Sequence, residues 1–141
     1  MLKILIIDDE SDAIEALEWK LNRYVENIIV AKCTSPIEAI SIVDSFQPDI
    51  VLLDIHMPEM NGFEFLTKLK YLKFNLIFTT AYDEMALRVS KLTDILYALK
   101  PIDKDDLIEA LEKVKTLGES GYLEHKIELL KKHLIEYTSN S

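Results

Sequence analysis

The residues of this chain best suited to chemistry are carboxylates at the ends of apolar runs. Val51-Leu52-Leu53 ends on Asp54, and Ile4-Leu5-Ile6-Ile7 ends on Asp8-Asp9-Glu10. A continuous apolar run reads as a strand buried on both faces of a parallel sheet, and the working residues of such sheets sit just beyond the carboxyl ends of the strands. Three carboxylates brought to one pocket repel one another, and a raised pKa or a bound cation resolves the conflict. Oxygen ligands at a shallow acidic lip suit Mg²⁺, which keeps several waters and needs only one or two carboxylates. Two further run ends add a hydroxyl, Thr80, and an ammonium, Lys100. A carboxylate flanked by a metal site, a hydroxyl and a lysine has what a phosphoryl acceptor needs, because those groups can neutralise the equatorial oxygens of the transferred group.

The elements that must position these residues are legible from periodicity. Strands are expected at Leu2–Ile7, Ile28–Cys33, Ile50–Asp54, Asn75–Thr79 and Ile95–Leu99. Between them, Ile14, Leu17, Leu21 and Tyr24 recur at helical spacing after a cap at Ser11 or Asp12. A second helix follows the Ser35-Pro36-Ile37-Glu38 capping box and runs to about Phe46. A third spans Phe63–Tyr71 with Phe63, Leu66 and Leu69 inward, and a fourth carries Tyr82, Met85, Ala86 and Val89 on one face. The fifth starts near Asp103, buries Leu107, Ala110, Leu111, Val114 and Leu117, and stops at Gly118 and Gly121. Five strands alternating with five helices predict an α/β domain with a doubly wound parallel sheet, order 2-1-3-4-5, in which Asp8, Asp9 and Asp54 meet at the switch point.

Bulk properties narrow the function. At 141 residues, 49% hydrophobic and with 3 Gly and 4 Pro, the chain has the make-up of one globular domain. A net charge of −9 argues against direct, non-specific binding to nucleic acid. The single Cys33 makes no internal disulfide and reads as a buried strand residue. No run reaches the roughly 18 apolar residues of a membrane span, so a cytoplasmic protein is expected. His56, His125 and His133 are scattered and read as surface residues, and Trp19 lies off the first helix's apolar stripe. Residues 122–138 form a further amphipathic stretch with Leu123, Ile127, Leu130, Leu134 and Tyr137 at heptad-like spacing and a possible Glu128–Lys132 pair. Either a sixth helix folding back or extending as a linker, or a short dimer seam, would give that pattern.

Together Ile7-Asp8-Asp9-Glu10, Asp54-Ile55-His56-Met57-Pro58 with Asn61-Gly62, Thr79-Thr80-Ala81, and Tyr97-Ala98-Leu99-Lys100-Pro101 resemble the receiver domain of bacterial two-component response regulators, over about Leu2 to Leu117. Phe78-Thr79-Thr80-Ala81-Tyr82-Asp83-Glu84 is similar to the LytTR (LytR/AlgR) class, although Val89–Leu96 departs from that class, which more often has a Phe-Glu pair and an Ala-Leu-Asp there. The resemblance implies a flavodoxin-like fold and a phosphorylation switch rather than an enzyme. Asp54 matches the phosphoacceptor, and Asp8 and Asp9 match the Mg²⁺-holding pair, completed by the backbone carbonyl of His56. Thr80 and Lys100 match the groups that meet the phosphoryl group, Tyr97 matches the switch aromatic, and the Lys100-Pro101 bond is expected cis. Implied partners are a sensor histidine kinase, a second copy through the surface of the fourth helix, fifth strand and fifth helix, and DNA through an output domain. A receiver over 1–118 is expected, with 119–141 as a helical extension or linker. The chain is then either the front part of a longer regulator, which the class favours, or a stand-alone receiver. A rival reading, a Mg²⁺-dependent phosphohydrolase, is disfavoured because His56 stands where such enzymes carry a second acid. A constitutive interaction module is the third reading.

Overall fold

The computed structural model describes residues 1–81 and 84–139, with the side chains of the last helix described as far as His133. In chain order it comprises β1 (Leu2–Ile7), α1 (Ser11–Tyr24), β2 (Ile28–Cys33), α2 (Pro36–Phe46), β3 (Ile50–Asp54), α3 (Gly62–Thr67), β4 (Asn75–Thr80), α4 (Glu84–Thr93), β5 (Leu96–Leu99), α5 (Lys104–Leu117) and, after two short 3₁₀ turns, α6 (Ile127–Ser139). All strands are parallel, in the order β2-β1-β3-β4-β5. The β1/β3 register opposes Ile7 to Leu53, and that of β3/β4 opposes Asp54 to Thr79. The ends of β1 and β3 are therefore neighbours, as the apolar runs predict.

Alternate residues of the central strands feed two cores. One face buries Ile4, Ile6, Leu52 and Ile77 against Ile14, Leu17 and Leu21 of α1 and Leu107, Leu111 and Val114 of α5. The other buries Leu5, Ile7, Leu53 and Phe78 against α2, α3 and α4. β3 and β4 are buried throughout because helices cover both faces, and this is why β3 reads as an apolar run up to Asp54 and β4 carries Leu76, Ile77 and Phe78 in succession.

Several boundaries differ from the sequence reading, each for a local reason. α1 has Glu10 at its N-cap with no side-chain cap, not Ser11 or Asp12, since the helix already begins at Ser11. Tyr24 is exposed instead of joining the apolar stripe; its ring meets Trp19 edge-on and lies 4.9 Å from the Lys104 ammonium. α2 is capped by the Ser35 hydroxyl, which accepts from the Glu38 N–H. α3 ends at Thr67 rather than Tyr71, because Lys68 and Leu69 donate to carbonyls three residues back and tighten the last turn. β5 starts at Leu96, one residue late: the Ile95 N–H is taken by the Thr93 hydroxyl and its carbonyl by Ser90. The Asp103 carboxylate caps α5 by accepting from the Asp106 N–H, while Leu117, expected on the buried stripe, is exposed in the helix's last turn. Tyr82 lies outside the described residues. Cys33 is buried and Trp19 is 60% exposed. Among the described residues, no helix is long and apolar enough to cross a membrane.

Past α5 the chain leaves the α1/α5 layer. Leu123, Ile127 and Leu130 are buried in the core shared by α3 and α4. Glu128 pairs with Lys131 at 3.8 Å, one position short of the anticipated Lys132. Leu134 and Tyr137 lie beyond the described side chains.

Candidate functional site

Each strand end delivers its side chain to one pocket. Asp8, completely buried after β1, accepts at Oδ1 from the Glu10 N–H at 2.9 Å. Asp54 closes β3 with 4% exposure, and its Oδ1 accepts from the His56 N–H at 3.3 Å. Carboxylate oxygens of Asp8, Asp9 and Asp54 lie within 4.8 Å of one another, with Asp9 on the exposed side. Lys100, following β5, reaches across β4's end to Asp8 Oδ2 at 2.7 Å and lies 3.5 Å from Asp54 Oδ1. Burial first, then the charge of Asp8, pushes the Asp54 carboxyl up to about 6, against the pull of Lys100 and the His56 N–H, with a hydrogen bond to Asp9 adding to the rise. Burial pulls the Lys100 ammonium down, but its hydrogen bond to Asp8 and the charge of Asp54 outweigh that and hold it above its usual value.

These oxygens fit a hard divalent cation. They supply one exposed and two buried carboxylates without nitrogen or sulfur, and burial together with the neighbouring Asp8 charge disfavours the ionised Asp54, a cost that a cation would relieve. His56 is exposed at its side chain and enters the site through its backbone.

The two remaining residues flank the pocket differently. Thr80 is fully buried, and its hydroxyl donates to the neighbouring Ala81 carbonyl at 2.7 Å. The Tyr97 ring is 38% exposed, beside a cleft of about 330 Å³ lined by Ser90, Leu99, Asp106 and Lys113. The Lys100-Pro101 bond is cis, as the resemblance implies. A second cleft of about 390 Å³ opens beside Lys100 between α1 and Pro101, lined by Asp12, Ala16, Lys20 and Ile102.

Sequence reasoning quoted Gly62 only as part of the Asn61-Gly62 pair and assigned it no contact with the site. Its N–H donates to the Ile55 carbonyl at 2.8 Å, and a Cβ there would stand 2.9 Å from the Asp54 carbonyl oxygen. α3 can therefore begin hard against the backbone that carries Asp54. The Asn-Gly pair was visible as a turn, but nothing in the spacing indicates which backbone the glycine would touch.

Comparison with known proteins identifies the family. A family model described as the response regulator receiver domain matches residues 4–112. An uncharacterized response regulatory protein of Yersinia pestis is 40% identical over 115 residues, 81% of this chain and 48% of its own length. The sensory transduction protein LytT of Bacillus cereus is 36% identical over 122 residues, 85% of this chain and 50% of its own. The crystal structure of a two-component transcriptional regulator AraC from Clostridium phytofermentans matches at 27% identity with a TM-score of 0.70, over 82% of this chain and 94% of that one. The chain thus spans about half the length of the curated relatives it matches.

Proposed function

Because the chain belongs to the receiver domains of two-component response regulators, with relatives of the LytTR class, we propose that Asp54 is its phosphoacceptor and that a sensor histidine kinase is its donor. The observation that carries this reading is the Asp54 carboxylate at the C-terminal end of β3, 3.5 Å from the Lys100 ammonium and within 4.8 Å of the Asp8 and Asp9 carboxylates. A carboxylate oxygen of Asp54 attacks phosphorus as the bond from phosphorus to the kinase's histidine nitrogen breaks. Lys100 already faces the oxygens of Asp54 and Asp8 and needs little movement to pair with the phosphoryl group. Asp8, Asp9, Asp54 and the backbone carbonyl of His56 would hold Mg²⁺. Mg²⁺, when bound, supplies charge neutralisation for the phosphoryl oxygens.

The new dianion is the driving charge for the switch. It offers the Thr80 hydroxyl a stronger acceptor than the Ala81 carbonyl it now uses, and Thr80 moving inward leaves space that the exposed Tyr97 ring can fill. The face formed by α4, β5 and α5 then pairs with a second copy. Exposed Leu92, Tyr97 and Leu99 give that face apolar area to bury. The output is transcriptional, through a DNA-binding domain outside these residues, and the receiver serves as a switch rather than a turnover enzyme. The net charge of −9 fits a domain that leaves DNA contact to another.

The test is size in solution, by light scattering, with and without a small acyl-phosphate donor and Mg²⁺. Donor-dependent dimerisation of the wild type, absent in Asp54→Asn, is the expected result. An Asp54→Asn chain that still dimerises with donor would sink the proposal.

A further inference from the structure

α5 belongs to the layer with α1, yet the chain after it crosses the start of β4 and lodges on the opposite face of the sheet. The crossing is tied down at several points. Asn75 Nδ2 donates to the Gly118 carbonyl at 3.0 Å, the Leu123 N–H to the Phe74 carbonyl at 2.8 Å, and the Glu124 N–H to the Leu72 carbonyl at 3.1 Å. Beyond it, Leu123, Ile127 and Leu130 are buried in a core that also holds Phe65 and Leu66 of α3 and Ala86 and Val89 of α4. Lys126 adds a directed contact: its ammonium donates at 3.0 Å to the carbonyl of Asp94, just past the last turn of α4, where a cation meets the negative end of the helix. Asp94 itself has a left-handed backbone, φ 60°, so this carbonyl belongs to a defined helix stop.

The same α4 starts at Glu84, four residues after Thr80, the group whose displacement the phosphoryl switch requires. In this structure Thr80 is bonded to the Ala81 carbonyl, the Tyr97 ring is exposed, and the tail is seated. We propose that residues 122–130 are an intramolecular clamp on α4, seated by Leu123, Ile127, Leu130 and Lys126, which holds α4 in its unphosphorylated position and is loosened when Asp54 is phosphorylated. This rests on the phosphoacceptor reading above for its trigger, but the clamp itself is a contact between the tail and α4. Linkage makes the coupling reciprocal: whatever phosphorylation does to the seating of the tail, unseating the tail does to phosphorylation. In a longer chain, the segment leading onward would thereby sense the state of Asp54 directly.

Hydrogen exchange on the full chain tests the clamp, with intact mass measured in parallel to count phosphoryl adducts. With donor and Mg²⁺, amides in 123–130 and in 84–95 should exchange faster together, by about tenfold, the ordinary scale of coupling between two sites. Amides of α1 should be unaffected. A fully adducted chain whose 123–130 amides are as protected as before overturns the clamp. A second arm needs no phosphorylation. Lys126→Gln removes a partly exposed contact without touching the core, and should speed exchange over 84–95 in the unmodified protein; unchanged exchange there also overturns the proposal. If no adduct forms at all, the phosphoacceptor reading fails, and the Lys126→Gln arm decides the clamp alone.

Discussion

A carboxyl that titrates near 6 beside a buried second carboxylate is an unstable arrangement for an isolated fold, and it can be measured as one. The folded chain binds the Asp54 proton more tightly than the unfolded chain, whose value lies near 3.8. The ionised carboxylate therefore destabilises the fold above about pH 6, and the loss is relieved as pH falls from about 6 towards about 4. Asp54→Asn should accordingly raise stability at neutral pH by about 1–3 kcal/mol without Mg²⁺, with the advantage vanishing near pH 4, as read by urea unfolding at several pH values. Equal stability of the two chains at neutral pH would contradict the strain assigned to Asp54. The exposed Asp9 gives a cleaner view of the cation. Asp9→Ala should leave the metal-free stability within about 0.5 kcal/mol of wild type while abolishing most of the Mg²⁺-dependent rise in melting temperature. At this scale the sequence was informative because Asp8, Asp54 and Lys100 each end or directly follow an apolar strand, and parallel pairing leaves them one place to go. What it could not give was the direction of each hydroxyl and ring. That Thr80 donates to Ala81 and Tyr97 points outward depends on which of several rotamers the surrounding packing favours.

Among the elements, α3 is the one whose placement matters most to the site, and Gly62 sets it. Gly62→Ala places a Cβ 2.9 Å from a backbone oxygen and 3.0 Å from the Ile55 Cα, neither of which can yield as a flexible side chain would. A loss of about 1–3 kcal/mol is expected, together with slower phosphorylation of Asp54, since the strain falls on the backbone carrying that carboxylate. Unchanged stability and rate would show that the approach is not tight. Helix capping was read correctly at Ser35; the side-chain caps at Asn61 and Asp103 were not read as caps, although the fifth helix was expected to start near Asp103, and α1 has no side-chain cap where Ser11 or Asp12 was expected to supply one. The early end of α3 and the late start of β5 follow from hydrogen bonds to carbonyls and hydroxyls nearby in space, which periodicity does not encode.

For the molecule as a whole, the doubly wound sheet follows from alternation of strand and helix signals, and its order places the acidic cluster at the switch point without further information. The tail is where the sequence left a choice. Leu123, Ile127 and Leu130 at spacings of four and three serve a dimer seam and a groove in the chain's own surface equally well, because amphipathicity states that a face is covered and not by what. The described part of the stretch covers it with α3 and α4. Leu130→Ala, at a position with no exposed surface, should therefore cost about 2–5 kcal/mol of unfolding free energy, independent of protein concentration. A loss that shrinks on dilution would point instead to a seam between chains. The central claim, that the strand ends converge to make Asp54 a phosphoacceptor, is tested most directly by intact-protein mass after incubation with a small acyl-phosphate donor and Mg²⁺. The account predicts one phosphoryl adduct on the wild type, none on Asp54→Asn, and none when the metal is chelated. An adduct carried equally by Asp54→Asn, or a wild-type chain that stays unmodified under a fast quench, would contradict it.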